Sequence, residues 1–243
     1  MKYLATLWYW LVFGATVVPG FLVGLAVWLV TAPFDADRRV LHAYVCRWCF
    51  QYLRCWPGWR VRVEGRELLP EGPCVLVANH QSMADIFAAM GLFHPFKFVS
   101  KASLFRIPMV GWMMHLLRYV SLERGRPRSM QAMLERCRMW LRRGMPVLLF
   151  PEGTYAEGGR LLPFKRGAFL LAQEERVPVV PVVLQGTADL VEGDGPWMSP
   201  RARVRVRVLP PVPVEALGTD EAELTERVRQ QVAEALARGG PSL

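Results

Sequence analysis

Cys74-Val75-Leu76-Val77-Ala78-Asn79-His80-Gln81-Ser82-Met83-Ala84-Asp85 sets an unbroken apolar run directly before a polar turn. Val147-Leu148-Leu149-Phe150-Pro151-Glu152-Gly153-Thr154 repeats the arrangement. Short apolar runs bounded by Gly and Pro fit buried strands of a parallel sheet covered on both faces. Polar groups just past the carboxyl ends of such strands are where open α/β sheets bind ligands. The expected fold is therefore α/β, a mixed and largely parallel sheet flanked by helices, with His80, Asp85 and Glu152 sharing one cleft.

A helix starting near Ser82, a residue type favoured at helix N-caps, would leave His80 in the strand-to-helix turn and Asp85 in the first helical turn. The two side chains can then meet. A carboxylate bonded to one ring nitrogen fixes the histidine tautomer, frees the other nitrogen as a base and stabilises the imidazolium that forms. The positive end of the helix favours ionised Asp85. Taken alone, His-x4-Asp reads more readily as a turn histidine beside a capping carboxylate.

Other residues shift that balance. The two polar segments, with Lys101-x-x-Leu104-x-x-x-Pro108-x-x-Gly111 and Val120-Ser121-Leu122-Glu123-Arg124 between them and Val177-Pro178-Val179-Val180-Pro181 after them, resemble the glycerolipid acyltransferase family, which includes 1-acyl-glycerol-3-phosphate acyltransferases. The blocks run from about Trp59 to about Gly186 in the family's order. The resemblance implies that His80 is the general base, Asp85 its partner, and Lys101, Arg124, Glu152, Gly153 and Thr154 the acceptor-binding residues. It further implies transfer of a fatty acyl group from acyl-CoA or acyl carrier protein to the sn-2 hydroxyl of a lysophospholipid, most simply lysophosphatidate, with no cofactor and no metal. From the residues themselves, Arg124 can hold a phosphate bidentately, Lys101 can add a point charge, and Gly153 permits close backbone approach. The family usually has Arg after the Thr of its third block, whereas this chain has Tyr155-Ala156. Either Lys165-Arg166 supplies replacement charge or the acceptor carries another head group. Backbone amides at the start of the helix after His80 are candidate oxyanion donors.

The 243 residues suffice for one sizeable α/β domain, expected over 59–243, behind a membrane-anchoring helical region over 1–58. Hydrophobic residues make up 52%, and Tyr3 to Phe34 contains no charged residue, a stretch longer than a ~30 Å hydrocarbon core at about 1.5 Å per residue. Pro19-Gly20 divides it, so a kinked single span and a shallow hairpin both fit, with the hairpin favoured. Arg38, Arg39, Arg47 and Arg54 outweigh Lys2, which predicts the inner membrane with the catalytic domain facing the cytoplasm.

A net charge of +9 beside an apolar anchor reads first as affinity for anionic membrane lipid and for acidic acyl carriers. No nucleic-acid motif is present. Arg201, Arg203, Arg205 and Arg207 alternate with Ala202, Val204, Val206 and Val208, the period of a half-buried strand. Its basic face is either simply solvated or in contact with lipid head groups. Five cysteines with a cytoplasmic domain argue for reduced thiols. Cys46-Arg47-Trp48-Cys49 lacks a second Cys-x-x-Cys, and His42, His94 and His115 lack ligand spacing, so these read as packing residues. No Gly-x-Ser-x-Gly elbow presents a serine nucleophile. Helical stripes at Met130, Met133, Leu134, Cys137 and Leu141, and at Leu224, Val228, Val232 and Leu236, are core faces. Phe96 to Val99 and Val177 to Leu184 are further strands.

Overall fold

The computed structural model describes residues 1–156, 160–191, 196–214 and 220–238. Among them, α1 (Lys2–Thr31) and α2 (Arg39–Tyr52) precede β1 (Trp59–Glu64), β2 (Val75–Ala78), α3 (Ala84–Met90), β3 (Lys97–Lys101), α4 (Val110–Leu116) and β4 (Val120–Leu122). Then follow α5 (Pro127–Arg142), β5 (Val147–Leu149), α6 (Gly167–Glu174), β6 (Val179–Gln185), β7 (Ala202–Val208) and α7 (Glu221–Arg238). The strands form one sheet in the order β1-β7-β6-β2-β5-β3-β4. Every neighbouring pair is parallel except β6 and β7. The sheet is thus mixed and largely parallel, and the carboxyl ends of β2, β3, β4, β5 and β6 lie on one edge.

Alternation along the strands divides the core in two. Leu76, Ala78, Leu148, Val180, Val182 and Leu184 pack with Leu41, Cys46 and Phe50 of α2, Ala88 and Ala89 of α3, and Met113 and Met114 of α4. Val75, Val77, Val147, Leu149, Val179 and Val183 pack on the other face with Met133, Cys137, Trp140 and Leu141 of α5, Phe169 and Leu171 of α6, and Leu224, Val228 and Val232 of α7. β2 has no exposed residue, which is why its sequence shows a continuous apolar run rather than an alternating one. β7 alternates as its sequence requires, with Ala202, Val204, Val206 and Val208 buried. Met130 departs from the expected core stripe and is exposed, one turn too early on α5 to reach the sheet.

The favoured hairpin does not form: α1 is one helix through Pro19-Gly20, as the single-helix alternative requires. The missing amide of Pro19 costs a helical hydrogen bond, but α2 grips both sides of that turn. The Thr16 and Tyr52 hydroxyls are 2.7 Å apart, Tyr44 donates to the Gly20 carbonyl at 2.7 Å, and the Trp48 ring fills the place a side chain at Gly20 would take. Tertiary packing supplies what the local sequence withholds. Further along, Trp8 Nε1 donates to the Cys55 carbonyl at 2.6 Å and Trp10 Nε1 to that of Pro196 at 2.9 Å, while Met113 lies against Gly24. The helix is fastened lengthwise to the domain, and its outer side exposes Leu4, Leu7, Leu11, Leu22 and Leu29.

At the amino edge, Lys97 is fully buried, and its ammonium donates at 2.7 Å to the carbonyls of Asp37 and Leu117. Arg143 pairs with Asp37 at 2.5 Å. The turn between α1 and α2 is thereby tied to the sheet.

Candidate active site

β2 ends at Ala78 and α3 begins at Ala84, so His80 to Met83 form the turn that lifts polar groups above the sheet edge. Asn79 closes that edge by exchanging two 2.8 Å hydrogen bonds with the Leu184 backbone of β6. His80 Nδ1 lies 2.7 Å from Asp85 Oδ2. The same oxygen accepts from the amides of Gln81 at 2.5 Å and Ser82 at 2.9 Å. Asp85 is wholly buried, and its other oxygen accepts from the Thr187 hydroxyl. A buried carboxylate with four donors is held immobile. With Nδ1 engaged by Asp85, Nε2 of His80 is the nitrogen left to accept a proton.

Ser82 is not the formal cap of α3, which starts two residues later, yet its hydroxyl accepts from the Ala84 amide at 3.1 Å and donates to the Thr187 carbonyl at 3.0 Å. Four of the amides in this turn are already engaged within the protein. The amides of Gln81, Ser82 and Ala84 bond to side chains of the turn itself, and that of Asp85 to the Ser82 carbonyl at 3.2 Å.

Glu152 joins two loops. Its carboxylate accepts from the His80 amide at 2.7 Å and from the Leu162 amide at 2.8 Å, and the Ala156 amide donates back to the His80 carbonyl at 2.8 Å. Burial raises its pKa above the ordinary carboxylate value while the two amides act against that rise. Both oxygens are engaged and the side chain is buried, so Glu152 shapes the His80 loop from behind. Phe150 stacks on the His80 ring with centroids 4.0 Å apart, and Tyr155 packs on it at 4.4 Å.

The cations gather on the same edge. Lys101 is exposed at the last position of β3, beside Leu122 of β4, and Arg124 follows two residues later. Burial raises the Tyr155 hydroxyl pKa, and the positive charge of Arg124 opposes it, which ties Arg124 electrostatically to the ring that covers His80. Gly153 has φ +72, and a Cβ there would meet Lys165 Nζ at 2.5 Å, so Lys165 lies directly over the Gly153 backbone. Thr154 is exposed beside it. No group of His, Cys, Asp or Glu among the described residues is arranged to hold a metal.

Sequence reading did not find Thr187. It lies 102 residues from Asp85 on the loop after β6, and a threonine following Gln-Gly carries no local signal of its partner. Leu162 was missed for the same reason, since it contributes only its backbone amide.

The acyltransferase family model matches residues 60–185, which span every element just described from β1 to the end of β6. The chain belongs to the acyltransferase family. It is 36% identical over 205 residues to a chloroplastic 1-acyl-sn-glycerol-3-phosphate acyltransferase of Brassica napus, covering 84% of this chain and 58% of that protein. It is 31% identical to the 1-acyl-sn-glycerol-3-phosphate acyltransferase of Pseudomonas aeruginosa, over 86% of this chain and 81% of the relative. The crystal structure of the 1-acyl-sn-glycerophosphate (LPA) acyltransferase PlsC from Thermotoga maritima superposes with a TM-score of 0.77 at 29% identity, covering 98% of this chain and 95% of that one. The plant relatives are longer: the chain spans less than two thirds of the Brassica protein.

Proposed function

We propose that this acyltransferase moves a fatty acyl group from a thioester donor to the sn-2 hydroxyl of 1-acyl-glycerol-3-phosphate, giving phosphatidic acid. The observation that carries the reading is the 2.7 Å contact between His80 Nδ1 and the four-donor Asp85 carboxylate at the carboxyl edge of the sheet. His80 Nε2 takes the proton of the acceptor hydroxyl as its oxygen attacks the thioester carbonyl. The tetrahedral intermediate collapses with cleavage of the carbon–sulfur bond, and the imidazolium returns the proton to the departing thiolate. The oxygen–carbon bond formed replaces the sulfur–carbon bond broken, and no covalent enzyme intermediate is needed. Asp85 stabilises the imidazolium between the two proton transfers.

Arg124, Lys101 and Lys165 are the groups proposed to hold the acceptor's phosphate, with Lys165 over Gly153 in place of the arginine absent at position 155. The relatives whose names specify 1-acyl-sn-glycerol-3-phosphate as acceptor support this choice. Coenzyme A and acyl carrier protein both present the thioester this chemistry requires.

The exposed apolar side of α1 supports membrane association. Because the helix is fastened to the domain along its length, the proposed arrangement seats α1 within one leaflet, the domain riding on that surface rather than hanging from a free span. The arginines flanking α1 and within α2 support an inner-membrane location facing the cytoplasm.

The test is acyl transfer by purified protein to a panel of lysophospholipids, with acyl-CoA and acyl carrier protein as donors and products identified by mass spectrometry. Phosphatidate formed in preference to every other product supports the assignment. Transfer only to lysolipids lacking a phosphate monoester refutes the acceptor while leaving the chemistry standing.

A further inference from the structure

β1 and β7 pair in parallel with Arg60 opposite Arg203 and Arg62 opposite Arg205. The like-charged pair Arg60 and Arg203, directly opposite each other, costs stability, so the sheet is not optimised here for its own sake. Arg60, Arg62, Arg201 and Arg203 are exposed. Among the described residues no acidic side chain pairs with Arg60, Arg201 or Arg203, and Arg62 has only Glu64 at 3.7 Å.

The face on which these arginines stand decides what they can meet. They alternate with Val204 and Val206, whose side chains belong to the same apolar cluster as Tyr9, Phe21 and Trp28 of α1. The arginines therefore point from the opposite face of the sheet, the side of α5, α6 and α7. Arg207 on the same face reaches the Ala235 carbonyl of α7. A membrane that receives α1 lies on the other side, so a lipid surface is disfavoured as the partner of this patch.

The patch begins beside the active site. A side chain at Gly186 would meet the Arg203 carbonyl at 2.0 Å, so Gly186 packs directly on β7, and the next residue, Thr187, bonds to Asp85. Only β6 separates β7 from β2, the strand that leads into His80; two interstrand spacings come to about 10 Å. Alternate positions on a strand recur at about 6.7 Å, close to the rise of one helical turn on which carboxylates at i and i+4 repeat. The surface is open and ribbon-like, suited to an acidic helix rather than to a small molecule in a cleft.

We propose that the Arg60, Arg62, Arg201 and Arg203 face is the docking surface for an acidic protein domain that carries the acyl thioester on a pantetheine arm. This rests on the thioester-donor reading above. The arginines steer and register the carrier, and the arm crosses the sheet edge to bring the thioester to His80. Such steering is electrostatic and weakens with salt.

The experiment compares wild type with the Arg60→Gln/Arg203→Gln and Arg60→Lys/Arg203→Lys double variants, using palmitoyl acyl carrier protein and palmitoyl-CoA as donors to lysophosphatidate. The glutamine variant is expected to raise KM for the carrier-protein donor by at least ~10-fold and to flatten its salt dependence. KM for palmitoyl-CoA and sedimentation with phosphatidylglycerol vesicles should stay unchanged, thermal stability should rise slightly as the like-charged pair is removed, and the lysine variant should stay near wild type. The palmitoyl-CoA rate serves as the check on folding. Equal loss with both donors, no loss with either, or loss of vesicle sedimentation overturns the proposal. Wild-type transfer from palmitoyl-CoA without any from the carrier protein sinks the docking surface alone, whereas no transfer from either donor sinks the acyltransferase reading beneath it.

Discussion

The Thr187 hydroxyl donates to the Asp85 oxygen that His80 does not use, so the orientation of the base is fixed from β2 and β6 together. Thr187→Val removes that donor from a fully buried carboxylate, at a cost of about 1–3 kcal/mol. We expect kcat to fall by roughly 10- to 100-fold with acceptor KM little changed, and Thr187→Ser to restore most of the rate. Unchanged kcat in the valine variant would show that the Gln81 and Ser82 amides hold Asp85 by themselves.

His80→Ala is expected to abolish turnover and Asp85→Asn to lower it by orders of magnitude, since base and orienting carboxylate act as a unit. Both variants should keep the wild-type circular dichroism spectrum. Single-turnover measurement of phosphatidate formation checks this, and near-normal transfer by His80→Ala ends the general-base mechanism.

Gly153→Ala meets two obstacles, a φ of +72 that costs an L-residue about 1–2 kcal/mol and a Cβ only 2.5 Å from Lys165 Nζ. The flexible ammonium end is what must give way. We predict a modest loss of thermal stability together with a several-fold rise in acceptor KM, because the displaced cation is one of those proposed to meet the phosphate. A stability loss with acceptor KM unchanged would remove Lys165 from the acceptor site.

Arg124→Ala and Lys165→Ala should each raise KM for lysophosphatidate more than KM for the acyl donor, by about 10-fold for loss of one charge-assisted contact. Tyr155→Arg restores the residue usual in the family but removes the ring packed 4.4 Å from His80. It should therefore tighten lysophosphatidate binding and lower kcat together. Steady-state kinetics of the three variants separates these effects, and equal kinetics in all three would place the phosphate elsewhere.

His42 gives the stability a defined acid limb. It is buried in α2, its Nε2 donates to the His94 carbonyl at 3.1 Å, and Nδ1 therefore accepts from the Tyr119 hydroxyl at 2.8 Å, a neutral tautomer. Burial first, and then the charge of Lys97, lower its pKa from 6.5 to about 3. Between those values the unfolded chain binds the proton and the folded one does not, so this stability is full above pH 6.5 and lost as pH falls toward 3. Denaturation midpoints from pH 7 to 4 should fall more steeply in wild type than in His42→Gln. Parallel slopes would mean that other groups set the acid limit.

What the sequence determined by itself is local. Apolar runs of strand length placed β2, β5 and β6, period-two alternation placed β7, and helical stripes placed α5 and α7, because backbone periodicity dictates which residues can share a face. His80 and Asp85 were legible because both lie on one turn, five residues apart. β1 carries the same period-two alternation, with Trp59, Val61 and Val63 against Arg60, Arg62 and Glu64, whereas the three-residue β4 at the sheet edge had no such signature. Tertiary structure decided the rest. Pro19 left a hairpin and a single helix both open, and α2 decides for the helix through Tyr44, Trp48 and Tyr52, since propensity is weaker than packing. Only the fold showed that the His80 and Leu162 amides meet on the two oxygens of Glu152, joining loops 72 residues apart in the case of His80. Thr187 became part of the site only through the pairing of β2 with β6, a contact between residues about a hundred positions apart that no local pattern encodes. The same pairing of distant strands set Arg60 against Arg203, turning an ordinary basic alternation into a two-strand cationic face turned away from α1.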